Sequence, residues 1–378
     1  MSIEMQELLQ MVADRGASDL HLKTDQPPIL RIAGRLIRSS LPELSAHDVL
    51  QLIASMLTPE QMEALQQNYE LDCSYGIEGL GRFRVNLYKD KGNFAAALRA
   101  VAPRIPNLQE LGLPEICKEI AQSPRGLVLI TGPTGHGKST TLASMIDWIN
   151  DNRADHILTI EDPIEYVHHS KRSIVSQREL GNDTKSFANA LRAALREDPN
   201  VILVGELRDL DTIKLALTAA ETGHLVFGTV HTSSAAQSID RLIDVFPPEQ
   251  QQQVRIMLSN SLVAIISQTL LPRMQESAGG SALTKGRILA LEILINTPAI
   301  ANLIREAKTA QIYSAIQMGG ALGMQTLETS LSNLVKQGII STSEALAKSS
   351  RPEDLQRLLG ASYAGTTPRD PGKGFGRF

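Results

Sequence analysis

The sequence GLVLITGPTGHGKSTT, residues 126–141, joins a short apolar run to a helical pattern through a glycine-rich segment. The part from Gly132 to Ser139 fits the spacing G-x-x-x-x-G-K-[ST] at every fixed position. Glycines let backbone N–H groups turn inward, and the start of a helix adds a positive field, so such a segment binds phosphate oxygens. The stretch therefore predicts a strand, a phosphate-binding loop and a helix in succession, as in an α/β fold.

The loop supplies the candidate nucleotide-binding residues. They are Gly132, Pro133, Thr134, Gly135, His136, Gly137, Lys138, Ser139 and Thr140. Lys138 is expected to reach the β- and γ-phosphates of ATP, and Ser139 to ligate Mg²⁺. The histidine at position 136 has two interpretations. Its side chain points away from the phosphates, which need only its backbone N–H, or its protonated imidazole adds positive charge below an unperturbed pKa of ~6.5.

Three further apolar runs between about residues 115 and 360 extend this pattern: HILTIED, VILVGEL and HLVFGTVH. Runs without polar alternation suit strands that are buried on both faces. Because the runs alternate with helical stretches, residues 115–360 predict a mainly parallel sheet followed by C-terminal helices. Residues 1–102 mix helical stretches with alternating strands, which predicts a separate and smaller α+β domain.

Local signals add detail to this division. A helix is expected at Ile3–Arg15, a second helix is capped by Ser45, and a hairpin turns near Gly34. Prolines predict an extended linker over residues 103–114. A mobile loop is expected at residues 275–286 and a disordered tail at residues 361–378, where glycine, proline and threonine are abundant.

Composition limits the possible classes of partner. The 378 residues are 42% hydrophobic and 21% charged, with a net charge of −4, so neither nucleic acid nor direct membrane insertion is expected. No apolar run reaches the ~20 residues that a membrane span needs. Cys73 and Cys117 lie far apart, which argues against a disulfide framework and a cysteine zinc site. A cytoplasmic protein is the expectation.

Acidic residues follow two of the predicted strands. Glu206 follows VILV after a single glycine, and a carboxylate there can hold Mg²⁺ through water or position the attacking water. Glu161, Asp162 and Glu165 follow HILTI, and three carboxylates so close together repel each other unless a cation offsets them. Glu165 is our candidate for the general base toward water, with Glu161 as the competitor. The alternative for Glu206 is a helix N-cap or a surface charge, and the alternative for the other three carboxylates is a solvated acidic turn.

Histidines and arginines complete the set of candidates. His231 ends the run HLVFGTVH and could donate a hydrogen bond to a γ-phosphate, whereas His224, the first residue of the run, is equally well explained as structural. Arg82 and Arg84 are two positions apart on a strand, so both face the same side and could share an anionic target. Arg99 is a weaker candidate for the same role.

The motifs together resemble those of the secretion and type IV pilus ATPase superfamily, and most closely the PilT-type pilus retraction motors. The matching segments cover roughly residues 1–345 and include GASDLHL, GRFRVN, GPTGHGKSTT, TIEDPIEY, DPNVILVGELRD and TGHLVFGTVHTSSAAQSIDRLIDVFP. The resemblance implies a PAS-like N-terminal domain and a RecA-like ATPase domain. It also implies a homohexameric ring in which Arg82, Arg84 and Arg99 reach the nucleotide of a neighbouring subunit.

The same resemblance implies partners and a location. ATP turnover would return pilin subunits to the inner membrane through a platform protein, with the motor cytoplasmic and peripheral at that membrane. A second retraction ATPase is a possible further partner. The alternatives are a ring that binds nucleotide without hydrolysing it and a pilus-extension or secretion ATPase. Members of that last branch usually carry a four-cysteine metal site, and this chain has two cysteines in all.

Four positions depart from the usual pattern of the family. His136 replaces a serine, Asn200 an aspartate and Leu207 a methionine, and Ala301 replaces an arginine in AIANLI, residues 299–304. The first three are expected to leave hydrolysis intact. Ala301 removes a positive charge from a helix that the family links to retraction, so it bears on coupling or on partner contact.

Overall fold

A computed structural model describes residues 3–32, 34–77, 80–101, 104–274 and 286–360. Within these residues the chain forms two compact units. Unit 1 contains Met1–Arg104, Asp162–Val167 and Glu179–Gly181, and unit 2 contains Ile105–Glu161, His168–Arg178 and Asn182–Phe378. The tail predicted at residues 361–378, and all but Gly286 of the loop predicted at residues 275–286, lie outside the described residues.

Unit 1 is a six-stranded antiparallel sheet with helices. Its elements are α1 Met5–Asp14, β1 Asp19–Leu22, β2 Ile29–Ile32, β3 Arg35–Arg38, α2 Ala46–Ala54, α3 Pro59–Asn68, β4 Glu70–Ile77, β5 Gly81–Asp90 and β6 Asn93–Ala100. The strand order is β3-β2-β1-β6-β5-β4. The helix predicted at Ile3–Arg15, the Ser45 cap of α2 and the hairpin near Gly34 are all present.

Alternation along β5 explains how this sheet buries one face. Phe83, Val85 and Leu87 are buried, while Arg84 and Asn86 between them are exposed. Because successive side chains of a strand point to opposite faces, the apolar residues form the core of unit 1 and the polar residues face solvent. Arg84 is therefore held in place by the burial of its two neighbours, Phe83 and Val85.

Unit 2 contains a seven-stranded sheet with helices. Its elements are α4 Ile116–Ala121, β7 Gly126–Thr131, α5 Lys138–Asn152, β8 His156–Glu161, β9 Ile174–Glu179, α6 Phe187–Ala194, β10 Val201–Val204, α7 Leu210–Glu221, β11 Leu225–Val230, α8 Ala235–Asp244, α9 Pro248–Ser261, β12 Leu262–Pro272, β13 Arg287–Ile295, α10 Pro298–Arg305, α11 Ile312–Met318, α12 Leu327–Lys336, α13 Thr342–Lys348 and α14 Pro352–Leu359. Glu179, the last residue of β9, belongs to unit 1.

The sheet order is β13-β12-β7-β11-β10-β8-β9, and the five strands from β12 to β8 are parallel. Every residue of β7 and β11 is buried. Leu127 and Leu129 of β7 pack in one apolar cluster, and Val128 and Ile130 pack in another, so helices cover both faces of the sheet. The predicted α/β class with a mainly parallel sheet is confirmed.

Two segments differ from the sequence-based expectation. Strand β12 was not predicted, although it is the parallel neighbour of β7. The segment at residues 103–114, predicted as an extended linker, contributes Leu108, Leu111 and Leu113 to a buried cluster of unit 2. Its prolines restrict the backbone, but they do not prevent the leucines between them from packing.

Two other expectations concern cysteines and membrane spans. Cys73 and Cys117 are free and buried, one in each unit. Within the described ranges, no helix has the length and apolar character needed to cross a bilayer.

The C-terminal part of unit 2 contains two buried carboxylates. Glu328 of α12 is fully buried and accepts hydrogen bonds from the Tyr313 hydroxyl at 3.1 Å, from the Ser349 hydroxyl at 3.0 Å and from the Arg351 N–H at 3.1 Å. Glu292 of β13 accepts a single hydrogen bond, at 2.7 Å, from the backbone N–H of Ala235 at the start of α8. Hydrogen bonds therefore offset much of the cost of burying the Glu328 carboxylate, and they offset much less of that cost for Glu292.

Burial raises the pKa of Glu292 to about 7; the Glu328 carboxylate adds to the shift, and the Ala235 N–H and Arg351 oppose it. The folded state thus holds this proton more tightly than the unfolded chain, whose carboxyl has an ordinary pKa of 4.5. The stability contributed by the protonated form is complete below the unfolded pKa and is lost as pH rises to about 7.

We expect Glu292→Gln to weaken the pH dependence of stability. Glutamine keeps an acceptor for Ala235 and cannot ionise, so between pH 5 and pH 8 the variant should avoid a loss on the order of 3 kcal/mol. Thermal unfolding of parent and variant at several pH values measures the difference. Glu221→Gln, at an exposed site on α7, is the control and should follow the parent. Equal pH slopes for Glu292→Gln and the parent would contradict the assignment.

Candidate active site

The phosphate loop lies between β7 and α5 and is packed against β12. Gly132 has φ of +142°, and a Cβ atom built there would lie 2.4 Å from the carbonyl oxygen of Gln268. Gly137, with φ of +82°, is the residue directly before α5. Both conformations are strained for L-residues with a side chain, and at Gly132 there is also no space for one. The glycines of the motif are therefore required by the observed backbone.

His231 links the loop to the carboxylate that follows β10. Its Nδ1 lies 3.3 Å from Lys138 Nζ and 3.3 Å from Thr134 Oγ1, and its Nε2 lies 3.3 Å from Glu206 Oε2. Lys138 Nζ also donates to the carbonyl oxygens of Gly132, at 2.8 Å, and Pro133, at 3.1 Å. The structure thus brings together Lys138, His231 and Glu206, three residues that the sequence predicted as parts of one site.

Backbone hydrogen bonds fix the position of Glu206 between two strands. On one side the N–H of Gly205 donates to Ile160 of β8 at 2.8 Å, and on the other the N–H of Leu207 donates to Thr229 of β11 at 3.0 Å. Burial alone would raise the pKa of Glu206, but its hydrogen bond to Arg208 and the charge of His231 hold the pKa below the usual value. Glu206 is therefore an ionised carboxylate at neutral pH, as ligation or water positioning requires.

The acidic segment after β8 is divided between the two units. Glu161 stays with the sheet of unit 2, where its Oε1 accepts hydrogen bonds from Thr159 at 2.7 Å and from Gln177 at 3.2 Å. Asp162 and Glu165 belong to unit 1, and both side chains are exposed. Glu161 thus accepts hydrogen bonds from two neutral side chains, whereas the side chain of Glu165 is exposed to solvent.

The three candidate arginines lie on the sheet of unit 1 in different environments. Arg82 forms an ion pair with the buried carboxylate of Glu179, which also accepts hydrogen bonds from Ser74 at 2.6 Å and from the Ile164 N–H at 3.1 Å. A guanidinium that neutralises a buried carboxylate has a structural role. This role was missed because Glu179 is 97 residues away in the chain.

Arg84 and Arg99 face each other across β5 and β6. Arg99 Nε lies 2.9 Å from Asp19 Oδ1, so part of its charge is neutralised. Arg84 is exposed and forms no ion pair with any residue that the structure describes. Like charges directly opposite each other are unfavourable in a sheet unless an anion lies nearby. Of the three arginines, Arg84 is the one best suited to contact an external anion.

Three of the departures from the family pattern lie outside the cluster around Lys138. Asn200 lies at the beginning of β10, where its side chain accepts from the His156 N–H at 2.8 Å. Leu207 is buried against Gly228, since a Cβ atom built on Gly228 would lie 2.7 Å from Cδ1 of Leu207. Ala301 is 8% exposed on α10.

His224 lies at the opposite end of β11 from His231 and contacts the Ala219 carbonyl oxygen at 2.9 Å, which indicates a structural role.

The fourth departure, His136, lies in the loop itself. Its ring Nδ1 accepts a hydrogen bond of 3.3 Å from the backbone N–H of Leu270, and its carbonyl oxygen accepts one of 2.6 Å from the side chain of Gln268. Burial, together with the positive charges of Lys348 and Lys138, lowers the pKa of His136. A ring that accepts through Nδ1 and resists protonation supports the interpretation in which His136 adds no charge to the phosphates at neutral pH.

The donor set suits a nucleotide and the metal ion that accompanies it. Lys138 has an ammonium group, backbone N–H groups lie at the start of α5, and the side chains of Ser139 and Glu206 carry oxygen atoms of the kind that Mg²⁺ prefers. Among the described residues, no group of three or more histidine, cysteine or acidic side chains could hold a metal ion.

We expect His136→Ser to leave nucleotide affinity unchanged at pH 7–8. The parent imidazole is neutral there, so no charge is removed. Since the folded pKa is below the ordinary ~6.5, protonation opposes the folded loop, and parent stability should fall as pH drops through that region. Fluorescent-ADP titrations of the parent and of His136→Ser from pH 5.5 to 8 measure the nucleotide affinity. A selective loss of affinity in His136→Ser at pH 7 would contradict the neutral-ring assignment.

Comparisons with known proteins identify relatives along nearly the whole chain. The family described as Type II/IV secretion system protein matches residues 3–347. The "Type IV pilus retractation ATPase PilT" of Pseudomonas aeruginosa is 52% identical over 353 residues, which cover 93% of this chain and 100% of that protein. A "Twitching motility protein" of Neisseria gonorrhoeae is 52% identical over 328 residues, 87% of this chain and 86% of that protein.

A solved structure is also similar to this chain. A crystal structure of "the Pilus Retraction Motor PilT and Bound ADP" superposes with a TM-score of 0.86 and 49% identity, and the match covers 94% of this chain and 99% of that one. The sequence similarity and the fold therefore agree over both units. The chain belongs to the Type II/IV secretion system protein family and resembles its PilT-type pilus retraction ATPases.

Proposed function

We propose that this chain is the ATP-hydrolysing motor of type IV pilus retraction and works as a homohexameric ring. The observation that carries the enzymatic part is the position of His231, which has Lys138 on one side and Glu206 on the other, each at 3.3 Å. The retraction part rests on relatives that are 52% identical and are named for retraction and twitching motility.

The site residues divide the work of phosphoryl transfer. Lys138 and the N–H groups at the start of α5 bind the β- and γ-phosphates of ATP. Mg²⁺, when bound, neutralises charge on these phosphates, and Ser139 and Glu206 would hold it, Glu206 through water. His231 lies next to both Lys138 and Glu206, so it can donate a hydrogen bond to the γ-phosphate and lose that bond after hydrolysis.

The base that activates water is Glu165 in this proposal. Glu165 belongs to unit 1, and its exposed side chain is accessible to water. Glu161 remains the competitor, although its Oε1 already accepts two hydrogen bonds from Thr159 and Gln177. An acceptor that is already satisfied is a weaker base toward water.

The unit 1 sheet would be the PAS-like domain of the family, and unit 2 the RecA-like domain. In the ring, Arg84 and Arg99 reach the nucleotide of a neighbouring subunit, while Arg82 holds Glu179. The motor acts in the cytoplasm, peripheral to the inner membrane, through a platform protein of the pilus machinery. A second retraction ATPase is a further candidate partner.

Deletion of the gene should leave a surplus of unretracted pili and abolish twitching. Complementation with Glu206→Ala should fail, because the variant binds ATP without the carboxylate that supports hydrolysis, and purified rings should lose turnover by about 100-fold or more. Glu221→Ala, at an exposed site on α7, is the matched control. Loss of pili in the deletion strain would favour the extension ATPase, and twitching restored by Glu206→Ala would favour the non-hydrolysing ring.

The in-trans role of Arg84 predicts complementation between subunits. Arg84→Ala rings keep intact phosphate loops but lack the neighbour's arginine, and Lys138→Ala rings have the opposite defect. Mixed rings should therefore hydrolyse ATP several-fold faster than either pure ring, as a phosphate-release assay would measure.

Arg82→Ala serves as the contrast in this experiment. Because it removes the guanidinium that neutralises the buried Glu179 carboxylate, it should lower the melting temperature, which Arg84→Ala should not. Activity of the mixed Arg84 rings equal to the average of the two pure rings would rule out contact between subunits through Arg84.

A further inference from the structure

Gln268 of β12 touches the phosphate loop at several points. Its side chain is 2% exposed, and its Nε2 donates a 2.6 Å hydrogen bond to the carbonyl oxygen of His136. A Cβ atom built on Gly137 would lie 3.4 Å from the same Nε2, so the amide also lies against the next residue of the loop. The side chain is thus buried beneath the peptide that joins His136 to Gly137.

The geometry of that peptide gives the contact a consequence for ligand binding. The His136–Gly137 bond is not among the cis peptides of the structure, so it is trans. In a planar trans peptide, the C=O of one residue and the N–H of the next point in opposite directions. When Gln268 holds the His136 carbonyl, the Gly137 N–H is therefore directed away from β12, at the N-terminal end of α5 where phosphates bind.

We propose that Gln268 is a positioning residue for nucleotide binding, because it locks the His136–Gly137 peptide so that the Gly137 N–H faces the phosphates. The proposal rests on the nucleotide-binding function given above and adds a residue outside the loop motif to it. Gln268 does not touch the nucleotide itself in this proposal. It acts on the orientation of one backbone donor.

The environment of Gln268 supports a role beyond packing. Its Oε1 is buried and makes no hydrogen bond with the residues that the structure describes, so this amide carries an unsatisfied acceptor. A leucine would fill such a position without that cost. The amide orientation is fixed by its partner, since exchange of Oε1 and Nε2 would bring two acceptors together at His136. The useful group at this position is therefore the donor.

Gln268→Met tests the proposal, because methionine has a similar volume and cannot donate a hydrogen bond. Without the lock, the Gly137 N–H is no longer pre-oriented, and we expect about tenfold weaker ADP binding in a direct titration. The KM for ATP should rise by a similar factor with kcat near that of the parent, because the phosphate contact is the same in the ground state and the transition state. Adenosine, which lacks phosphate, should compete equally well for parent and variant.

Two controls separate positioning from general damage. Thr269→Val changes the next residue of β12, whose side chain points to the other face of the strand, and it should bind ADP like the parent. Gln268→Asn keeps the amide but shortens its reach, and it should fall between the parent and Gln268→Met. Should Gln268→Met fold poorly, judged by its melting temperature, Gln268→Asn alone decides.

ADP affinity within twofold of the parent in either Gln268 variant would overturn the proposal, and so would an equal loss of ADP and adenosine binding. A parent chain that binds no ADP would instead overturn the nucleotide-binding function, and this proposal with it.

Discussion

The contact between the phosphate loop and the backbone of β12 constrains the rest of unit 2. Where β7 ends, Gly132 passes so close to the Gln268 carbonyl that a Cβ atom would lie 2.4 Å from it. The parallel pairing of β7 with β12 sets Thr131 opposite Ser267. The next residues along the two segments, Gly132 and Gln268, therefore lie against each other. A larger residue at Gly132 would have to separate the two strands or displace the loop. The loop is thus shaped by the neighbouring strand as well as by its own glycines.

The order of the parallel strands brings the chemistry together from distant parts of the chain. Strands β7, β11, β10 and β8 are adjacent, and their carboxyl ends lie at one edge of the sheet. Lys138 follows β7, His231 follows β11, Glu206 follows β10, and Glu161 is the last residue of β8. Ligands of open α/β sheets bind outside this edge. The hydrogen bonds on both sides of Glu206 hold its backbone within the sheet, so its side chain needs little reorganisation to act.

Much of this arrangement could be predicted from sequence because it depends on local patterns. Strands β7, β8, β10 and β11 are short apolar runs, and the residues that follow such runs must lie at the sheet edge. Strand β12 was missed because it follows α9 without a break and carries the polar pair Ser267 and Gln268 within its apolar run. These two side chains contact Thr131 and His136, more than 130 residues earlier, and no local signal reports such partners.

The arginines illustrate the same limit. The spacing of Arg82 and Arg84 correctly placed both on one strand, β5, and one face of it. Their environments nevertheless differ, since Arg82 neutralises the buried Glu179 and Arg84 faces another arginine across the sheet. Equivalent positions in a pattern can therefore have different functions, because the distinguishing partner comes from a segment that the pattern does not include.

The hairpin of β12 and β13 provides a common support for the glycine-rich loop and for the segment that follows His231. In its antiparallel register, Ser267 is paired with Glu292. The Ser267 hydroxyl accepts a hydrogen bond from Thr131, at the entrance to the phosphate loop, at 2.8 Å, and Glu292 accepts one from Ala235, four residues after His231, at 2.7 Å. One pair of neighbouring residues thus anchors both the start of the glycine-rich loop and the segment that follows His231. Because packed interiors transmit small displacements with little compression, a shift of either segment should be felt by the other through this hairpin and by the C-terminal helices packed on it.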